Sequence, residues 1–225
     1  MRRLGHIISI ALITAGVVLI AEVAITLAYE EPLSSIYGSI KQGEAASELK
    51  EIEAAYPASV DRDALAGADS EPERIAILAR QYAAGAEEGK PIGHIVASDM
   101  DGLDIVVVQG TDKASLEKGP GHYPETPFPG QGGTIGIAGH RTTYLAPFRH
   151  IDSIERGDKI TMKMPYGTFV YRVQATTIVA PDEVEIVGDV GYERLVLSAC
   201  HPLYSAAERY IVFARLVSER LAGGV

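Results

Sequence analysis

The sequence predicts an all-β fold, a closed or nearly closed β-barrel with short helices, set behind an N-terminal transmembrane helix and a partly helical stalk. Three observations carry this expectation. Residues 7 to 28, IISIALITAGVVLIAEVAITLA, form a mostly apolar stretch long enough to cross a bilayer core at about 1.5 Å per residue. Residues 39 to 56 are rich in Ala, Glu and Lys. From Gly89 onward, short β-rich runs are separated by Gly, Pro and Asp with no long helical pattern between them, the texture of a barrel rather than of an alternating α/β sheet.

Taken in order, the anchor comes first. Arg2 and Arg3 precede it and Glu30 and Glu31 follow it, an asymmetry that puts the N-terminus in the cytoplasm and the rest outside the cell membrane as a single-pass protein. A cleaved signal peptide is the rival, but its apolar region usually runs roughly 7–15 residues and ends in a small-x-small site, offered only weakly by Thr26-Leu27-Ala28. Glu22 is costly within lipid and sits near the outer interface or faces a partner. The expected divisions are 1–29 for the cytoplasmic tip and anchor, 30–88 for an extracellular stalk, 89–218 for the barrel and 219–225 for a tail.

In the stalk, Ser70-Glu71-Pro72-Glu73 has capping-box spacing and opens a helix, PERIAILARQYAAG, running to Gly85. No candidate chemistry lies there, so the segment reads as a spacer lifting the domain off the membrane. The barrel strands are expected at Ile92–Val96, Leu103–Gln109, Thr134–Ala138, Lys159–Met164, Thr168–Ala175, Arg194–Ala199 and Tyr210–Val217. Roughly 130 residues suffice for one core.

Composition narrows the function classes. The chain has 225 residues, 47% of them hydrophobic, no Trp and a formal net charge of −10, with no run of Lys or Arg, so the electrostatic footprint of nucleic-acid binding is missing. Its one cysteine makes no intramolecular disulfide; the thiol is buried filler or it is reactive. That residue, Cys200, stands in LVLSACHPLY where an apolar run stops, a strand end at which a nucleophile is pinned by the sheet while its side chain reaches a groove.

A thiol nucleophile needs a basic or cationic partner. Of six histidines, His140 in TIGIAGHRTTY also stands at a strand end, after Gly136 and Gly139, which signal close backbone approach. His201 adjoins Cys200, but consecutive strand residues point to opposite faces, so it is a poor base for its neighbour. His94, His150 and His122, the last in GPGHYPETPFPG, read as surface or loop residues. Arg209 begins the strand after the cysteine strand, and an antiparallel turn-back brings it near Cys200. Alone, it reads as a surface ion pair with Glu208 or Glu193.

Together these segments resemble the sortase family: an N-terminal anchor, PGQGGTIGIAGHRTTY around His140, VLSAC at Cys200 where the family has TLxTC, and Arg209 downstream. GPGHYPETPFPG, IAGHRTTYLAPF, Cys-His-Pro after the nucleophile and a short Cys-to-Arg loop are most like the actinobacterial class E group, and no second apolar anchor argues for the pilin-polymerising type. Val196 and Ala199 stand where the motif has threonines. The resemblance implies a sortase-type closed β-barrel of about eight strands and a cysteine transpeptidase with Cys200 as nucleophile, His140 as acid and base, and Arg209 as a donor to substrate or oxyanion.

By the same resemblance, the partners are the LPxTG-like or LAxTG-like sorting-signal peptides of secreted proteins and a peptidoglycan precursor amine, and the product is a surface protein joined to the cell wall. Substrate contacts are expected from Tyr144, Leu145, Phe148 and Ala199, with ordinary packing as the rival for the loop residues. Neither a metal nor an organic cofactor is required; Asp182-Glu183-Val184-Glu185 lacks a Ca²⁺-ligand spacing and reads as a solvated loop. Two alternatives remain: a surface cysteine protease or amidase with water as acceptor, and a catalytically silent membrane-tethered binding module.

Overall fold

The computed structural model describes residues 2–28 and 32–223. Helix α1, Arg2–Ala28, contains a 22-residue span, Arg3–Ala24, of mean hydropathy 2.5, long and apolar enough to cross a membrane. Helix α2, Pro32–Ser59, and helix α3, Glu71–Ala84, follow. Ser70 caps α3 by accepting a hydrogen bond from the Glu73 N–H at 3.4 Å, while the Glu73 carboxylate reaches back to the Asp69 N–H at 2.9 Å, a capping box displaced by one residue.

Eight strands form the closed barrel: β1 Pro91–Ala97, β2 Leu103–Gln109, β3 Gly121–His122, β4 Thr134–Gly139, β5 Lys159–Met164, β6 Gly167–Val179, β7 Arg194–His201 and β8 Glu208–Leu221. Their order around the wall is β1-β2-β3-β4-β7-β8-β6-β5, parallel at β2–β3 and β4–β7 and antiparallel elsewhere. A short helix α4, Lys113–Leu116, lies between β2 and β3. Strand β5 and the first half of β6, to Val173, alternate buried and open positions, whereas β4 and β7 are buried nearly throughout because loops cover their outer faces. Ile95, Val107, Ile135, Ile137, Phe169, Tyr171, Leu195, Leu197 and Val212 belong to one continuous core.

The stalk differs from the spacer the sequence predicts. Helix α2 packs against β1 and β2: Leu49 is fully buried with Val106, and the Gln42 amide donates to Val106 O and Lys118 O at 3.0 and 2.6 Å while accepting from the Val106 N–H at 3.1 Å. Tyr56 at its far end and Ile75, Leu78 and Ala79 of α3 enter the main core. The reason is chemical. Gln42 satisfies strand backbone groups, and each buried Leu or Ile adds about 1.5–3 kcal/mol of burial that a free spacer would forgo.

A second difference concerns His122, which is no surface residue. It forms half of the two-residue strand β3 and is almost fully buried, with Nδ1 at 2.9 Å from Gln109 Oε1, Nε2 at 3.1 Å from Pro127 O, and its ring edge-on to Phe128. Burial pushes its pKa down to about 4. His94 and His150 do sit at the surface, beside Asp104 and Asp101 respectively.

Candidate active site

Strand β4 runs parallel to β7 with Gly139 opposite Ala199, so His140, the first residue beyond β4, comes level with Cys200. Gly139 lets the chain lie flat on the ring of Phe148: a Cβ there would fall 2.5 Å from Phe148 Cδ2. Phe148 is fully buried, and its N–H donates to His140 O at 2.9 Å, closing the loop that leaves the strand. Phe148 is therefore the floor under His140 and not the substrate-facing surface expected of it. Ala199, 2% exposed, is likewise a packed part of the cleft wall.

Across the antiparallel β7–β8 ladder Cys200 is paired directly with Arg209. Directly opposed residues project to the same face. The Arg209 Nη1 donates to Ala206 O and Glu208 O, each at 3.0 Å, which fixes the guanidinium to the turn joining the strands. Glu193, offered by the sequence as a partner, is elsewhere: it accepts from Gly130 N, Gly132 N and Tyr171 Oη, holding the loop that leads into β4. Burial pushes that carboxyl up, against the lowering effect of these donors.

His140, Cys200 and Arg209 line one cleft of about 230 Å³, walled also by Thr111, Leu116 and Tyr123. The His140 Nε2 atom is buried and has no hydrogen-bond partner among the described residues, the kind of unmet polar group that native structures rarely leave without a reason. Burial pulls the imidazole below the ordinary histidine range, and the nearby Glu117 charge opposes that pull. Tyr144 covers the ring, with centroids 5.3 Å apart, and donates its phenol to Glu117 Oε1 at 3.0 Å. A larger cleft of about 400 Å³, lined by Pro57, Arg62, Leu65, Arg74, Leu78 and Leu221, holds no nucleophile.

Sequence reasoning missed Glu117 and Tyr123, which carry no signal of their own, and Arg141, which was in view beside His140. Arg141 is buried and lies against His201 and Asp152, so it orders the loops flanking the cleft. Leu145 is half-buried beside helix α2. Among the described residues no group of three or more His, Cys, Asp or Glu side chains is placed to hold a metal, and Asp182, Glu183 and Glu185 are exposed.

Residues 95–217 match the sortase domain family model. Sortase D of Bacillus subtilis is 35% identical over 119 residues, 51% of this chain and 59% of that protein. Sortase SrtE1 of Streptomyces coelicolor is 33% identical over 136 residues, 52% of this chain and 39% of that protein. The matched region thus spans about half the length of these relatives. Among solved structures, sortase E from Streptomyces avermitilis is 32% identical with a TM-score of 0.54, covering 60% of this chain and 93% of that one. Sortase E1 from Streptomyces coelicolor, with a tripeptide in the active site, is 26% identical with a TM-score of 0.56, covering 61% and 94%.

Proposed function

The chain belongs to the sortase family, and we propose that it is a membrane-anchored cysteine transpeptidase that joins secreted proteins to the cell wall. The observation that carries this reading is the placement of three groups of complementary chemistry on one cleft: Cys200 opposite Arg209, with His140 just beyond the end of the adjacent parallel strand.

The chemistry follows from those positions. An extended LPxTG-like or LAxTG-like signal lies along the cleft. The sulfur of Cys200, as thiolate, adds to the Thr carbonyl carbon, and the carbonyl electrons move onto oxygen. Arg209, whose Nη1 is tied to the turn, presents its remaining N–H groups to that oxyanion or to the peptide backbone. When the oxyanion collapses, the Thr–Gly C–N bond breaks and His140, as imidazolium, protonates the departing Gly amine, leaving a thioester on Cys200 and a neutral imidazole. A peptidoglycan precursor amine then attacks the thioester. His140 takes up its proton, the C–S bond breaks and the thiolate returns.

Helix α1 would retain the enzyme in the cell membrane with its N-terminus cytoplasmic and the barrel outside, where both secreted clients and wall precursors are found. The full chain in detergent, incubated with a signal peptide and an amine, tests the reading. Intact-mass spectrometry should show a peptide adduct on Cys200 that an amine discharges as a ligated product, and Cys200→Ala should abolish both without altering the thermal midpoint. Release only by water would favour a hydrolase, and a Cys200 that forms no adduct would end the assignment.

A further inference from the structure

Tyr144, Leu145 and Ala146, in the loop beyond His140, all have positive φ, at 50°, 67° and 41°. Three consecutive non-glycine residues in the left-handed region persist only where their surroundings over-determine them. One constraint is local, the Ala146 N–H donating to Thr143 O at 2.8 Å. Others come from helix α2, about a hundred residues earlier in the chain. The Ser34 Oγ accepts the Tyr144 N–H at 3.2 Å, the Tyr37 ring meets the Tyr144 ring edge-on, and Gly38 lies so close that an added Cβ would stand 3.0 Å from Tyr144 C and 3.1 Å from Leu145 Cγ.

The same helix reaches the other side of Tyr144. Gln42, one turn beyond Gly38, donates to Lys118 O at 2.6 Å, and the residue before Lys118 is Glu117, which accepts the Tyr144 phenol at 3.0 Å. Helix α2 therefore grips both the loop that carries Tyr144 and the segment that carries its hydrogen-bond acceptor, and Tyr144 lies on the His140 imidazole. By contrast Gly43, on the same helix, has no heavy atom within 4 Å of an added Cβ.

We infer that helix α2 is a positioning element for His140: Gly38 and Gln42 hold Tyr144 over the imidazole, so the catalytic geometry is assembled only while the helix following the membrane segment is docked on the barrel. This rests on the assignment of His140 as acid and base. Tyr144 is then a positioning residue and not a substrate contact, and the role of the stalk is to fix the active site, which its packing on β1 and β2 makes possible.

The groups facing His140 are Glu117 beyond α4, Tyr144 on its own loop, Tyr123 beyond β3, Cys200 on β7 and Arg209 on β8. Gly38→Ala and Gln42→Ala substitute none of these residues and weaken the hold of α2 on the barrel, Gln42→Ala by also removing the amide partner of the Val106 backbone. Full-length chain in detergent micelles, labelled with ¹³C-histidine, gives the decisive reading, with the His140 ring resonance assigned by its loss in His140→Asn. In either variant that resonance should move away from its wild-type position as the Tyr144 ring shifts, and its titration midpoint should rise as the imidazole gains solvent. The kcat should fall about tenfold with KM changed less than about twofold, the pattern of a misplaced acid. Gly43→Ala should match wild type in every respect. An unchanged His140 resonance and midpoint in both variants, with the fold intact by thermal melting, would overturn the inference whatever the activity. If wild type transfers no peptide, the transpeptidase assignment fails by itself, and the resonance still decides whether α2 orders the loop.

Discussion

Arg141 Nη1 lies 3.0 Å from Nδ1 of His201, on the opposite side of strand β7 from the thiol of Cys200. A guanidinium only donates, so Nδ1 must accept and His201 is held as the Nε2–H tautomer. Arg141 is 2% exposed, and its other nitrogens reach Asp152 and Arg149 O. His201 therefore satisfies a buried cation. It follows that His140→Ala should reduce transfer by about a hundredfold or more, the ordinary worth of a general acid, whereas His201→Ala should stay within about tenfold of wild type. The His201 variant should instead lose about 1–3 kcal/mol of stability, because Arg141 is left with an unmet buried donor. Steady-state kinetics and thermal melts on the two variants check both halves; the reverse ranking would reassign the base.

Glu117 bears on the protonation of His140 from outside the motif. Burial lowers the imidazole and Glu117 raises it, with burial the larger effect. Where turnover needs His140 as the cation, its loss forms the alkaline limb of the pH profile of kcat/KM. Glu117→Gln removes the raising charge, so the His140 pKa falls further and the alkaline limb should move to lower pH. An alkaline limb unmoved, or moved upward, would show that this limb does not report His140.

The barrel was legible because β5 and the first half of β6 alternate and because Gly, Pro and Asp punctuate the chain; β2 and β5 have the bounds the sequence predicts. Strand β3 was not, since two residues carry no periodicity. The length of β6 and β8, which pair to Val179 and Leu221, was also hidden, because register shifts at Val170/Tyr171 and Val173/Ala175 break the alternation. At the candidate site, the convergence of His140, Cys200 and Arg209 on one cleft could be read from their distinctive chemistry at strand ends. Phe148 could not, because an aromatic beside a catalytic loop has the same sequence signal whether it faces a groove or supports a backbone glycine. The docking of α2 was hidden for a similar reason: Gln42 looks like any polar residue of an exposed helix, and only the strand edge it meets makes it structural.

His122 makes stability depend on pH. Its pKa is about 4 in the folded chain against an ordinary value of 6.5, so between those limits the unfolded state binds more protons. The contribution is complete above about pH 6.5 and is lost as pH falls toward about 4, on the order of 3 kcal/mol in all. Chemical denaturation of the full chain at pH 7.5 and pH 5 should show about 2 kcal/mol of that loss, and His122→Gln should flatten it while lowering stability at pH 7.5. A variant with the same acid sensitivity as wild type would assign the effect to other groups.

Arg209→Lys is the sharpest separation of catalysis from scaffold. Arg209 is paired across the ladder with Cys200, and its Nη1 is held by two carbonyls of the turn, Ala206 O and Glu208 O. That anchoring aims a planar fork, which a guanidinium keeps at fixed angles and a flexible ammonium does not. If Arg209 served only to hold the turn, Lys could donate to the same carbonyls, and an exposed interaction of this kind contributes at most about 1 kcal/mol. If its remaining N–H groups meet an oxyanion, Lys must choose between turn and substrate, and one misaligned donor of this type costs about 2.7–4 kcal/mol of transition-state stabilisation. The expected result is a fall in kcat of about a hundredfold, with the thermal midpoint unchanged and thiol alkylation of Cys200 still complete, which shows that the nucleophile remains accessible. Turnover in Arg209→Lys within about threefold of wild type would place the oxyanion donor elsewhere in the cleft and leave Arg209 as a clamp on the β7–β8 turn.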